Sequence, residues 1–217
     1  KYVCAPMVDQ SELAFRKLIS NYDCHLHYTP MIHSGKMKTR KFLSIKKNLF
    51  TNEKHYFDKF YGDLDENHGP TFAQFCGHDP EILLKVNENY KNSGKLVENK
   101  VAAFDLNLGC PQQIARKGNY GSFLLEDTDT VLKIAGYLSN NLKCGFTCKI
   151  RLFPDLEKTY WICRQLEVNF LITKNKKLIK IEKGIKVLTV HGRTKEENKQ
   201  FVKECNWDAI KKIKELM

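Results

Sequence analysis

No stretch of the 217 residues approaches the roughly 20 consecutive apolar side chains that a membrane span requires, and Lys1 to Gln10 lacks the build of a secretory signal. The expectation is an intracellular protein, cytoplasmic first and nuclear second, with no membrane partner and no obligate protein partner. The eight cysteines contain no Cys-x-x-Cys pair. Cys144 and Cys148 form a lone Cys-x-x-x-Cys without nearby histidines, which argues against zinc. Cys4, Cys76, Cys144, Cys148 and Cys163 lie in or beside apolar runs, where reduced, buried thiols are expected rather than disulfides. Also missing are a carboxylate pair for glycoside hydrolysis, a Ser-His-Asp order and a His/Asp/Glu cluster for a metal.

What is present suits one folded domain. Hydrophobic residues make up 42% and aromatics 11%, enough for one substantial core at this length. Lysine and arginine outnumber aspartate and glutamate 36 to 25, a net charge of +11. Such a balance favours a polyanionic partner, with RNA, DNA and acidic membrane surfaces all allowed. Solvated lysine-rich loops such as Lys174 to Lys180 account for the same excess equally well. The chain opens on Lys1 rather than methionine, so it is expected to be a segment of a longer product.

Strand-like and helix-like segments alternate along the chain. Strands are expected at Tyr2–Val8, His25–Met31, Pro70–Gly77, Val101–Gly109, Phe146–Phe153 and Ile185–Arg193. Helices follow at Ser11–Ser20 (with Ser11 as cap), after Asp79-Pro80, at Asp127–Ser139, at about Asp155–Leu166 and from Trp207 onward. Six strand-helix units in alternation imply a parallel sheet with crossover helices, either open and doubly wound or a (β/α)8 barrel. Two segments break the rhythm. Residues 38–69 form a long polar connection, and residues 168–183 read as an insertion, an amphipathic helix or strand or a loop excursion.

In parallel α/β proteins the chemistry gathers at the carboxyl ends of the strands. Here those ends carry Pro6 and Met7, Pro30 and Met31, Gln74, Asn107 with Cys110, Lys149 with Arg151, and His191 with Arg193. Strand alternation puts Asp105 with Asn107 on one face, likewise Lys149 with Arg151 and His191 with Arg193. Amides, a lysine and an imidazole around one mouth suit an anionic or electron-accepting cofactor. Lys149 suits negative charge developing on a heterocycle, and Gln74 and Asn107 offer donor and acceptor pairs to a planar ring edge. A cysteine thiol is mostly protonated at neutral pH, so Cys110 can give a proton. The alternative, a nucleophilic thiolate, would draw on Arg116 and Lys117 in the following loop.

The segments APMVDQSELAFR (5–16), YTPMIHSGK (28–36), QFCGHDPE (74–81), DLNLGCPQQIARKGNYGSFLLED (105–127), CKIRLFPDLEKT (148–159) and TVHGRT (189–194) resemble the tRNA-dihydrouridine synthases, in order along nearly the whole chain. The Gly-Cys-Pro loop most resembles the eukaryotic subgroup acting at D-loop positions 16 and 17. The resemblance implies a TIM (β/α)8 barrel that binds FMN, takes electrons from NADPH or NADH, and reduces a uridine flipped out of tRNA to 5,6-dihydrouridine. It implies hydride transfer from the flavin to C6 and a proton from Cys110 to C5. Pro6, Met7, Gln74, Lys149 and His191 would then bind the cofactor, and Asn107, Arg151 and Arg116 the substrate. No metal is implied.

The resemblance also sets out departures. Only six of eight strand-helix units are expected within residues 1–217, an incomplete FMN-binding barrel without the phosphate-binding loops and without the C-terminal helical tRNA-binding domain. Such a barrel, left with two open strand edges, is expected to bind FMN poorly by itself. Two other readings stay open at this level: a catalytically silent RNA-binding barrel, and another flavin-dependent barrel oxidoreductase acting on a small molecule.

Overall fold

The computed structural model describes residues 1–37, 69–88, 97–167, 170–172, 178–180 and 184–217. In chain order the strands are β1 (Tyr2–Val3), β2 (Cys24–Tyr28), β3 (Ile32–His33), β4 (Thr71–Cys76), β5 (Ala103–Leu108), β6 (Gly145–Leu152), β7 (Phe170–Ile172), β8 (Leu178–Lys180) and β9 (Val187–Thr194). The α-helices are α1 (Leu13–Ser20), α2 (Ser34–Met37), α3 (Pro80–Glu88), α4 (Gln113–Lys117), α5 (Ser122–Glu126), α6 (Thr128–Asn141), α7 (Leu156–Glu167) and α8 (Trp207–Leu216).

The main sheet runs β1-β2-β4-β5-β6-β9, with β3 hooked onto β4, and every pairing in it is parallel. Spatial order follows chain order throughout. A doubly wound sheet would reverse at a switch point. Without a reversal, right-handed crossovers put every helix on one face and leave the other concave. The curvature is strong: the hydroxyls of Tyr28 on β2 and Thr189 on β9 lie 3.0 Å apart, whereas a flat sheet would hold those strands about 19 Å apart. The architecture is part of the wall of a (β/α)8 barrel, six strands along its main path among the described residues.

Alternation along each strand divides the two faces. On β5, Phe104, Leu106 and Leu108 point outward into the core with Leu83, Val131, Leu138, Ile162 and Ile213 from the helices. Phe75 stacks on Phe104 with ring centroids 4.0 Å apart. Asp105 and Asn107 fall on the concave side. Several helix starts obey local rules: Asp79 Oδ1 accepts from the amides of Glu81 and Ile82, Asp127 Oδ1 from Thr130, Asp155 Oδ1 from Glu157 and Asn206 Oδ1 from Ala209.

Some expectations needed correction. Ser11 does not cap α1; Glu12 takes that position, and Ser11 Oγ accepts from the Met7 amide at 2.7 Å. The first strand ends at Val3 rather than Val8, with Asp9 at φ 57°. The second divides into β2 and β3 around Thr29 and Pro30, where proline cannot donate to a ladder. Within residues 168–183, β7 and β8 pair antiparallel, and the rest of that stretch lies outside the described residues, as do residues 38–68. Among the described residues no helix is long and apolar enough to cross a membrane.

Candidate active site

The strand register sets the site. Gln74, Asp105 and Thr147 lie opposite one another on β4, β5 and β6. One layer higher, Asn107, Lys149 and Thr189 do the same on β5, β6 and β9, and above them Arg151 faces His191. In a parallel sheet such neighbours share a face, so the concave wall is polar in consecutive layers.

The lowest layer is a buried network. Asp105 is fully buried (0% exposed) and Gln74 nearly so (1%). Asp105 accepts from Thr147 Oγ1 at 2.6 Å and from Gln74 Nε2 at 2.8 Å. Burial pushes its carboxyl up to about 6, against the hydrogen bonds from Thr147 and Gln74 and the charge of Lys149. Gln74 Oε1 in turn accepts from Asn107 Nδ2 at 2.8 Å, and the Gln74 amide donates to Thr29 Oγ1 at 3.0 Å.

Cys110 is reached through Asn107. Asn107 Oδ1 accepts from the amides of Gly109 at 3.1 Å and Cys110 at 3.0 Å, closing the Gly-Cys turn over the strand end. The Cys110 carbonyl accepts from both the amide and the hydroxyl of Ser122, at 3.1 and 3.0 Å. Gly121 makes this approach possible: at φ +65°, a Cβ there would meet the Cys110 carbonyl oxygen at 2.6 Å. Arg151 Nε donates to the Gly109 carbonyl at 2.9 Å and its Nη1 to the Thr194 carbonyl at 2.8 Å. The backbone of the turn is thus held on several sides, while the half-buried thiol makes no hydrogen bond to a described residue.

The cations differ in their engagement. Lys149 is half-buried and makes no hydrogen bond or ion pair to a described residue. Burial lowers its pKa, Asp105 opposes that and Arg151 adds to it. Arg193 Nη1 lies 3.1 Å from His191 Nε2. A guanidinium only donates, so His191 accepts at Nε2 and carries its proton on Nδ1. Burial first, then Arg151, Lys149 and Arg193, drive His191 down to about 4, so the ring is neutral at physiological pH.

The expected residues therefore separate into groups. Gln74, Asn107, Cys110 and Arg151 are joined by hydrogen bonds within one cluster, and Lys149 and His191 flank it. Pro6 and Met7 lie half-buried after β1, tied to Ser11. Arg116 stands exposed on α4, apart from the network. Arg151, expected on the substrate, has two of its nitrogens on backbone carbonyls. Asp105, Thr147, Gly121 and Ser122 were not among the expected site residues. The alternation that selects Asn107 and Lys149 also selects Asp105 and Thr147, so that signal was available.

The set fits the ring of a flavin. An unpartnered, half-buried ammonium suits an electron-accepting heterocycle that gains negative charge, and Gln74 retains one N–H and one oxygen lone pair beyond its bonds to Asp105 and Asn107. No group of His, Cys, Asp and Glu among the described residues could hold a metal ion.

Curated relatives include the tRNA-dihydrouridine(16/17) synthase (NAD(P)(+)) of Saccharomyces cerevisiae, 40% identical over 215 residues, which cover 98% of this chain and 43% of that protein. A Rattus norvegicus protein named as tRNA-dihydrouridine(16/17) synthase-like is 34% identical over 218 residues, 100% of this chain and 42% of its own. The human tRNA-dihydrouridine(20a/20b) synthase-like protein is 33% identical, over 99% of this chain and 57% of its own. The chain thus spans between 42% and 57% of the length of these three relatives. The sequence profile described as Dihydrouridine synthase (Dus) matches residues 3–217, a range that takes in the wall from Val3 onward and the whole Cys110 turn, and with that match the chain belongs to the dihydrouridine synthase family.

Proposed function

We propose that this chain forms the catalytic wall of an enzyme that uses NAD(P)H to reduce uridine to 5,6-dihydrouridine in the D-loop of tRNA. The observation that carries the reading is the Cys110 turn: its backbone is fixed by Asn107 and Ser122 while its thiol stays unengaged, one strand from the ammonium of Lys149 and two from the neutral ring of His191. FMN, held by these residues, would supply the hydride for C6 of the uracil. The residues of the chain do the rest. Lys149 stabilises negative charge at the ring end, with Gln74 and His191 as further ring contacts and Pro6 and Met7 as its lining. Cys110 delivers the proton to C5, and Asn107 and the remaining nitrogen of Arg151 face the base. Lifting a base from folded RNA costs a few kcal/mol, which phosphate contacts offset; Arg116 and the +11 net charge suit that role.

The reading takes residues 1–217 as part of a barrel, in keeping with a chain that spans 42% to 57% of the length of these relatives. Its test is chemical. The full-length protein, given NADPH and tRNA from cells lacking dihydrouridine, should convert a D-loop uridine into a nucleoside heavier by two hydrogens. An unchanged nucleoside profile at saturating FMN and NADPH rejects the reading.

A further inference from the structure

Nothing in the chemistry just described uses the buried Asp105. We propose that Asp105 is a positioning residue whose acceptor-only carboxylate sets the direction of the hydrogen bonds running through Gln74 and Asn107 to the Cys110 turn. This inference rests on the proposed function for its catalytic consequence, though not for its structural one.

An ionised carboxylate cannot donate, so both of its neighbours must give it a proton: Thr147 through Oγ1 at 2.6 Å and Gln74 through Nε2 at 2.8 Å. Gln74, turned in this way, can show only Oε1 to Asn107, which answers with Nδ2 at 2.8 Å. Asn107 then has only Oδ1 left for the turn, where it meets two backbone donors, the amides of Gly109 at 3.1 Å and Cys110 at 3.0 Å. The two N–H groups of the turn call for the oxygen of Asn107, and the carboxylate turns Gln74 so that Asn107 can give it while donating from Nδ2. Reversal of the chain would put Asn107 Nδ2 against the two backbone N–H groups, donor against donors, and the turn that carries the thiol would open. A buried charge costs free energy, and an apolar layer here would avoid that cost. The direction of the chain is what an apolar layer could not supply.

Two variants separate this role from general support. Asparagine at 105 satisfies Thr147 and Gln74 in either orientation, because a hydroxyl both donates and accepts. Asp105→Asn therefore keeps the shape and loses the direction. Thr147→Val removes a hydrogen bond to the same carboxylate but leaves it an acceptor. In the full-length protein, hydrogen exchange at the Gly109 and Cys110 amides should rise about tenfold in Asp105→Asn and stay near the parent value in Thr147→Val. Oxidation of the reduced flavin by tRNA should fall about 10- to 100-fold in Asp105→Asn, with reduction by NADPH little changed. Gln74→Glu combined with Asp105→Asn restores an acceptor to the middle of the chain, and exchange protection should return.

If both single variants loosen the turn alike, Asp105 is mere support and the proposal is wrong. Unchanged exchange in Asp105→Asn overturns it as well. Should Asp105→Asn not fold alone, the double variant Asp105→Asn, Gln74→Glu carries the test: amide protection near that of the parent supports the relay, and loosened amides overturn it. The exchange measurement needs neither flavin nor tRNA. A parent protein inactive toward tRNA would therefore sink the proposed function and leave the relay to be judged on exchange alone.

Discussion

The hydroxyls of Tyr28 and Thr189 meet at 3.0 Å although β4, β5 and β6 stand between their strands. That bond spans the concave face and shows how tightly the wall curls. Burial, then the nearby Asp105, raises the Tyr28 pKa, so the phenol stays protonated and able to donate. Tyr28→Phe and Thr189→Val should each cost about 1 kcal/mol, and the double variant less than their sum. Urea unfolding of the three variants reads the coupling directly; strict additivity would mean the bond does not form.

Gly121→Ala meets both a left-handed backbone and the Cys110 carbonyl. It should destabilise by about 1–2 kcal/mol and displace the turn. FMN affinity should change little, because the turn rather than the ring contacts is disturbed. A variant that loses flavin but keeps the turn would contradict this placement.

Asp105 and His191 oppose each other in their response to acid. The Asp105 pKa is raised from 3.8 to about 6, so its contribution is fully present below 3.8 and lost as pH rises through 6. His191 is lowered from 6.5 to about 4, so its contribution is present above 6.5 and lost as pH falls through 4. Between about pH 4 and 6 the two slopes largely cancel. Relative to the parent, Asp105→Asn should gain stability across that rise in pH, by up to about 3 kcal/mol. His191→Asn should gain relative stability as pH falls across the same window. Denaturant melts of the flavin-free protein at several pH values check both signs.

Lys149→Met removes a half-buried ammonium that has no partner among the described residues. Stability should hold or rise, since a desolvation cost is relieved. The midpoint potential of bound flavin should fall, because the cation that favours the reduced ring is gone. Spectroelectrochemistry decides it; an unchanged potential would place Lys149 away from the ring.

Much of this was legible in the sequence because barrel walls repeat a simple pattern. Apolar runs of strand length, aspartates ahead of helices and polar residues at strand ends gave the succession of strands and the polar residues that line one face of the wall. The parallel register then brought Asn107, Lys149 and Thr189 into one layer. What escaped was tertiary. The choice between an open sheet and a barrel lay in the order of strands and in Tyr28 meeting Thr189. Ser11 looks like a helix cap in sequence, yet Glu12 holds that position while Ser11 ties down Met7. The stretch after Cys110 reads as a basic, glycine-rich loop, but two short helices form there and Gly121 seats Ser122 against Cys110. Asp105 was visible on the right face, and only its bonds to Thr147 and Gln74 set it within the site.

The central claim is that Cys110 gives the proton that completes uridine reduction. Its most direct test follows flavin absorbance anaerobically in the full-length protein and its Cys110→Ala variant. NADPH should bleach both alike, since the thiol takes no part in that step. Unmodified tRNA should then restore the absorbance in the parent and slow that recovery at least about 100-fold in the variant. Equal recovery in both proteins would contradict the account and move the proton to another residue.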